Sequence, residues 1–121
     1  MYIAFGGAAG SLLRFWLSEY ISFRVSNHFP VGIFTVNILG ALFIGFLFGL
    51  LSLNGQINDA LRFLLFIGFL GGFTTFSSFA LENMRLIYDG HFLVSISYIL
   101  LTNILGIAVS FLGYFFGLKL K

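Results

Sequence analysis

Apolar residues along this chain fall into four long runs separated by short polar stretches. About 20 consecutive apolar residues cross the hydrocarbon core of a bilayer as a helix, and each run has that length. The first covers residues 2–23 and gives way to RVSNHFP, where Asn27 and Pro30 mark a turn. The second covers residues 31–53 and ends in NGQIND, and the third covers 60–88 and fades through ENMRLIYDGH. The fourth covers 92–118 and closes with Lys119, Leu120 and Lys121. Connections this short make neighbouring helices antiparallel and leave both termini on one side. The pattern predicts an all-α membrane protein, a single four-helix transmembrane domain over residues 1–121.

The third run interrupts itself. Its stretch GGFTTFSSF, residues 71–79, sets glycines, threonines and serines where lipid-facing chemistry favours leucine. Paired glycines followed by β-branched threonines weaken a helix, so this one is expected to break at mid-membrane. A break frees backbone carbonyls, and at that depth protein, water or an ion must meet them. Such oxygens suit a hard cation such as Na+, and two breaks meeting on a two-fold axis would hold one between two chains. The plainer alternative is a glycine packing point whose hydroxyls bond back to the helix. Beyond the break, Phe76 and Phe79 are three apart and share a helix face. The positive edges of their rings can line an anion path, with Ser77, Ser78 or Asn37 as hydrogen-bond donors.

Composition agrees with the membrane assignment. Of the 121 residues, 60% are hydrophobic and 8% charged, against about 25% charged in soluble domains. Cysteine is absent, which excludes disulfides and thiolate metal sites. His28 and His91 both lie near loops, and no nucleophile-and-base arrangement stands out, so neither a histidine metal centre nor an enzyme is indicated. The net charge of +2 is small and scattered, unlike a nucleic-acid or headgroup-binding patch. No basic region precedes the first apolar run, so it is expected to remain as a helix.

Charge at the span ends barely discriminates the two sides. Arg62, Lys119 and Lys121 flank one face and Arg24 and Arg85 the other, with Arg14 inside the first span. By the positive-inside rule such a balance lets a chain insert both ways. Two oppositely oriented copies can then pair as an antiparallel homodimer. The pairs Gly6–Gly10, Gly45–Gly49, Gly68–Gly72 and Gly113–Gly117 support close helix contact. Polar residues within the spans should face a partner helix or a watery path. They are mainly hydroxyls and amides: Thr35, Asn37, the Thr74, Thr75, Ser77, Ser78 cluster, then Ser95, Ser97, Tyr98, Thr102, Asn103 and Ser110. Glu19 and Glu82 lie nearer span ends, and Arg14 is the one deep cation candidate. Neutral donors can replace the hydration of a small anion without trapping it.

At this point the chain resembles the Fluc fluoride channels, the CrcB family, over its whole length. The motifs are GGAAGSLLRF at residues 6–15, TVNILG at 35–40, GGFTTFSSF at 71–79, close to the family's GGxTTFST/SF, and the weaker pair Tyr98 and Thr102 with Gly106. The resemblance implies a dual-topology homodimer in the inner (plasma) membrane that conducts F− passively and selectively over Cl−, relieving fluoride toxicity. It implies two pores, each lined by both subunits. By position, Phe76 and Phe79 resemble the pore phenylalanines and Asn37 the pore asparagine. Ser77, Ser78, Tyr98 and Thr102 resemble the polar track, Arg14 the vestibule arginine, and Glu82 an acidic residue at the track's far end. Gly71 and Thr74 resemble the positions whose carbonyls hold a central structural Na+. One departure is Gly106, where the family often has another hydroxyl; Ser110 follows one turn later.

Two rival readings share some of these features. A small dual-topology, proton-coupled exporter of organic cations would use Glu19 as its carboxylate, but leaves GGFTTFSSF without a role. A stabilising subunit of a larger complex is the third.

Overall fold

The computed structural model describes residues 1–51 and 57–120. The predicted end of the second span at residues 52–53, the first half of NGQIND (54–56) and Lys121 lie outside the described residues. Among those described, all regular structure is helical. Helix α1 is Tyr2–Arg24 and α2 is Val31–Leu51. The third span is composite: α3 Asp59–Arg62, a π-helix Phe63–Leu70, α4 Gly71–Phe73 and, after a break, α5 Phe76–Tyr88. Helix α6, Phe92–Lys119, completes the chain.

Among the described residues, three stretches are long and apolar enough to cross a membrane: Val31–Leu51, Asp59–Tyr88 and Phe92–Lys119. With 23 residues, α1 has the length, but Arg14, Ser18, Glu19 and its glycines lower its hydropathy below theirs. It packs lengthwise along the π-helix and α4, beside the third span.

Glycines set the two main helix crossings. A Cβ at Gly6 or Gly10 would overlap the backbone carbonyl of Leu64 or Phe69, and one at Gly72 would meet the Gly7 carbonyl at 2.5 Å. These positions lock α1 onto the third span. Between α2 and α6 the same device recurs: Gly45 and Gly49 face the Ser110 and Tyr114 carbonyls, while Gly113 and Gly117 face those of Leu42 and Phe46. Small residues let backbones approach this closely, and dispersion over the long contact then holds them. All four glycine pairs expected to favour close contact are spent on crossings within the chain. The main partners are therefore first with third and second with fourth, rather than sequential neighbours.

The break falls on the threonines. Thr74 (φ −82°, ψ 154°) and Thr75 (φ −149°, ψ 123°) are extended, whereas Gly71 and Gly72 stay helical because Gly72 is wedged against α1. Downstream, α5 ends in a Schellman turn at Gly90 (φ 81°), with His91 N–H donating to the Leu86 carbonyl at 2.7 Å and Gly90 N–H to Ile87 at 3.1 Å. That turn folds α6 back against α5. Phe79, Leu86 and Tyr98 form a buried cluster there, with Phe29, Ile33, Phe34 and Val94 packed around it.

Candidate functional site

Asn37 on α2 is what holds the break open. Its Oδ1 accepts the Thr75 N–H at 2.8 Å and its Nδ2 donates to the Thr75 carbonyl at 3.1 Å. The amide thus replaces both helical partners of an interrupted residue. Thr75 in turn caps α5: its Oγ1 accepts the Ser78 N–H at 3.2 Å, as hydroxyls do at helix N-termini. Ser77 and Ser78 place their own hydroxyls 3.2 Å from the same Oγ1. Thr74 behaves differently, donating back to the Leu70 carbonyl at 2.8 Å.

These bonds have a consequence for the carbonyls. The Thr75 N–H would serve Gly71 in an unbroken helix, and the Ser78 N–H would serve Thr74. With both donors diverted, the Gly71 and Thr74 oxygens lose their i+4 partners. Backbone oxygens freed inside a membrane protein require another partner, and a hard cation of the Na+ type accepts oxygen ligands of this kind. The residues present fit such an ion.

Two clefts divide the predicted residues. A cleft of about 410 Å³ brings together Asn37, Gly71, Thr74, Phe76, Phe79 and Thr102, and also includes Thr75, Asn103 and Gly106. A second, about 280 Å³, gathers Arg14, Ser78 and Glu82 with Glu19, Ser18 and Ser22. The Thr75–Ser78 hydroxyl contact joins one to the other. Ser77 and Tyr98 line neither cleft.

The two phenylalanines differ sharply in setting. Phe79 is 8% exposed and Phe76 is 80% exposed, although their ring centroids are only 5.7 Å apart. Tyr98, fully buried, lies 5.0 Å from Phe79 and receives the Phe29 ring edge-on at 5.3 Å. An unbroken aromatic path therefore runs Phe29, Tyr98, Phe79, Phe76.

Tyr98 Oη and Thr102 Oγ1 are both buried and make no hydrogen bond. They sit one turn apart on α6, beside the Phe79 ring and the Asn37 cleft respectively. An unpaired buried hydroxyl costs about 1–3 kcal/mol, so each of these two is a polar group whose partner lies outside its own chain's hydrogen bonds. Ser97, Asn103 and Ser110, by contrast, donate to carbonyls on the preceding turn.

Sequence reasoning named Thr75 and Ser95 only among the in-span polar residues, without a role in the site, and did not single out Phe29 or Asn83. Thr75 had a signal, a hydroxyl directly before a new helical run. His28 and His91, placed near loops by the sequence, stack at 4.0 Å and tie the loop after α1 to the start of α6.

A family model described as CrcB-like protein, Camphor Resistance (CrcB), matches residues 1–114. The chain is 46% identical over 115 residues to a protein named fluoride-specific ion channel FluC from Aquifex aeolicus, covering 95% of this chain and 93% of that one. A protein of the same name from Methylobacillus flagellatus is 44% identical, with 94% and 90% covered. One from Helicobacter pylori strain P12 is 39% identical, with 95% and 89% covered.

Proposed function

The chain belongs to the CrcB family, a family of channels rather than enzymes and of multi-pass inner-membrane proteins, and we propose that it is a passive channel selective for fluoride. The observation that carries this reading is the pair of buried, unpartnered hydroxyls, Tyr98 Oη and Thr102 Oγ1. Fluoride is small and strongly hydrated, so a pathway must offer hydrogen-bond donors in place of water. Neutral donors do this without the deep trap of a full positive charge, which keeps release fast. Phe76 and Phe79 present ring edges along the same path. Arg14, in the adjoining cleft beside Ser78 and Glu82, raises local anion concentration at the entrance. Asn37 keeps Thr75 extended and so keeps the path clear of a continuous helix.

The active unit is an antiparallel, dual-topology homodimer with two pores. The even flanking charge supports it, and so does Phe76, whose exposed ring lines an open cleft that a second copy would enclose. At the dimer centre the Gly71 and Thr74 carbonyls of both copies would hold a structural Na+, which supplies a fixed positive charge that pins the two breaks together. The function is export of F− down its gradient, relieving fluoride toxicity.

Efflux from liposomes containing the purified protein tests the proposal: F− should leave rapidly and Cl− should not. Absence of F− flux from a folded dimer would overturn it. Glu19→Gln sets it against the proton-coupled exporter. Glu19 shares the Arg14 cleft but lies away from the unpaired hydroxyls, so the substitution should abolish proton-coupled exchange if the exporter holds and leave selective F− flux in place if the channel holds.

A further inference from the structure

Behind the aromatic path lies a polar contact with no assigned role. Asn83 and Ser95 are buried, 7% and 1% exposed, in a region otherwise filled by aromatic and aliphatic side chains. Asn83 Nδ2 donates to the Phe79 carbonyl at 2.9 Å, and Asn83 Oδ1 accepts from Ser95 Oγ at 2.9 Å. Among the described residues this is the one side-chain-to-side-chain hydrogen bond between two helices. Its ends are telling. One is the backbone of Phe79 itself; the other is Ser95, three residues before Tyr98 and on the same helix face.

We propose that Asn83 and Ser95 form a positioning clamp that fixes the Phe79 ring against Tyr98 and thereby sets the rate and selectivity of anion passage. Apolar contact between α5 and α6 is non-directional and would tolerate small rotations of α5 about its axis. A hydrogen bond depends on both distance and angle, so it selects one rotation. In that rotation the two rings sit 5.0 Å apart at 59°. A buried amide and hydroxyl are costly unless paired, and leucine with alanine would fill the same space without that requirement. What the polar pair adds over them is register. Neither residue lines either cleft, so the clamp acts through Phe79 and Tyr98 and not by touching the ion.

The proposal rests on the fluoride-channel reading, and its test separates the two. Full-length protein carrying Ser95→Ala, Asn83→Leu or both is placed in liposomes, and F− and Cl− efflux are measured. In parallel, 3-fluorotyrosine is incorporated at position 98 and its 19F resonance recorded in detergent, with no dependence on transport. Ser95→Ala should reduce F− flux about fivefold and lower F−/Cl− discrimination. Asn83→Leu should do so more strongly, and the double variant should be no worse than Asn83→Leu alone, since both remove one interaction. The 19F resonance should shift or broaden in each. Ser95→Ala with wild-type flux and selectivity, losses that multiply in the double variant, or an unchanged resonance would overturn the clamp. Wild-type protein that passes no F− would defeat the channel reading instead, leaving the resonance to decide the clamp.

Discussion

The glycine crossings and the face around the Thr74–Thr75 break follow opposite rules, although Gly72 of one crossing stands two residues before Thr74. At the crossings every backbone is matched by another within the same chain, and no Cβ fits at Gly6, Gly10, Gly45 or Gly113. Around the break the chain leaves matters unfinished: Phe76 stands in the open, two hydroxyls have no partner, and carbonyls that include those of Gly71 and Thr74 have lost their helical donors. The first region is complete in one copy. The second is not complete in one copy, and in the proposed function a second copy and ions complete it. Rigidity in the one is what allows incompleteness in the other to persist.

Substitutions should reveal that division. The largest effect is expected at Gly45→Leu, whose side chain would collide with the Ser110 backbone. Overpacking commonly costs about 1–3 kcal/mol and more when backbone must move. Size-exclusion chromatography should recover little or no monodisperse protein. Asn37→Leu strands the Thr75 N–H and C=O, at about 1–3 kcal/mol for each buried group. It should both lower the melting temperature and cut F− efflux by at least about tenfold. Phe76→Ile changes an exposed ring, so stability should move by no more than about 0.5 kcal/mol. F− efflux should still fall by about tenfold or more. If Phe76→Ile instead melted early while conducting normally, the distinction between the two regions would fail.

Much of this was legible in the sequence, for reasons that differ by residue. The apolar runs announced the helices because lipid leaves little choice of structure. The GGFTTFSSF stretch announced a break, yet its location on the threonines depended on Asn37, which lies 38 residues before Thr75 and binds it only in the folded chain. The four glycine pairs predicted close contact but not which helices would meet, since that is set by tertiary pairing. The split of Arg14, Ser78 and Glu82 from the Asn37 cleft was likewise invisible, as was the Asn83–Ser95 bond. Both depend on how α5 is rotated. Residues 1–24 showed the limit of hydropathy in another way: α1 is long enough to span, yet its glycines serve packing and its Ser18, Glu19 and Ser22 line the Arg14 cleft.

The measurement that tests the account most directly is F− efflux, with Cl− alongside, from liposomes holding Tyr98→Phe/Thr102→Val, together with the melting temperature of the same protein. If these hydroxyls await an anion, their removal takes away unpaired polar groups from a buried site. F− efflux should fall by at least about tenfold, while stability without fluoride stays level or rises by about 1 kcal/mol. Wild-type efflux from the double variant, or a loss of flux matched by a loss of folded protein, would contradict it.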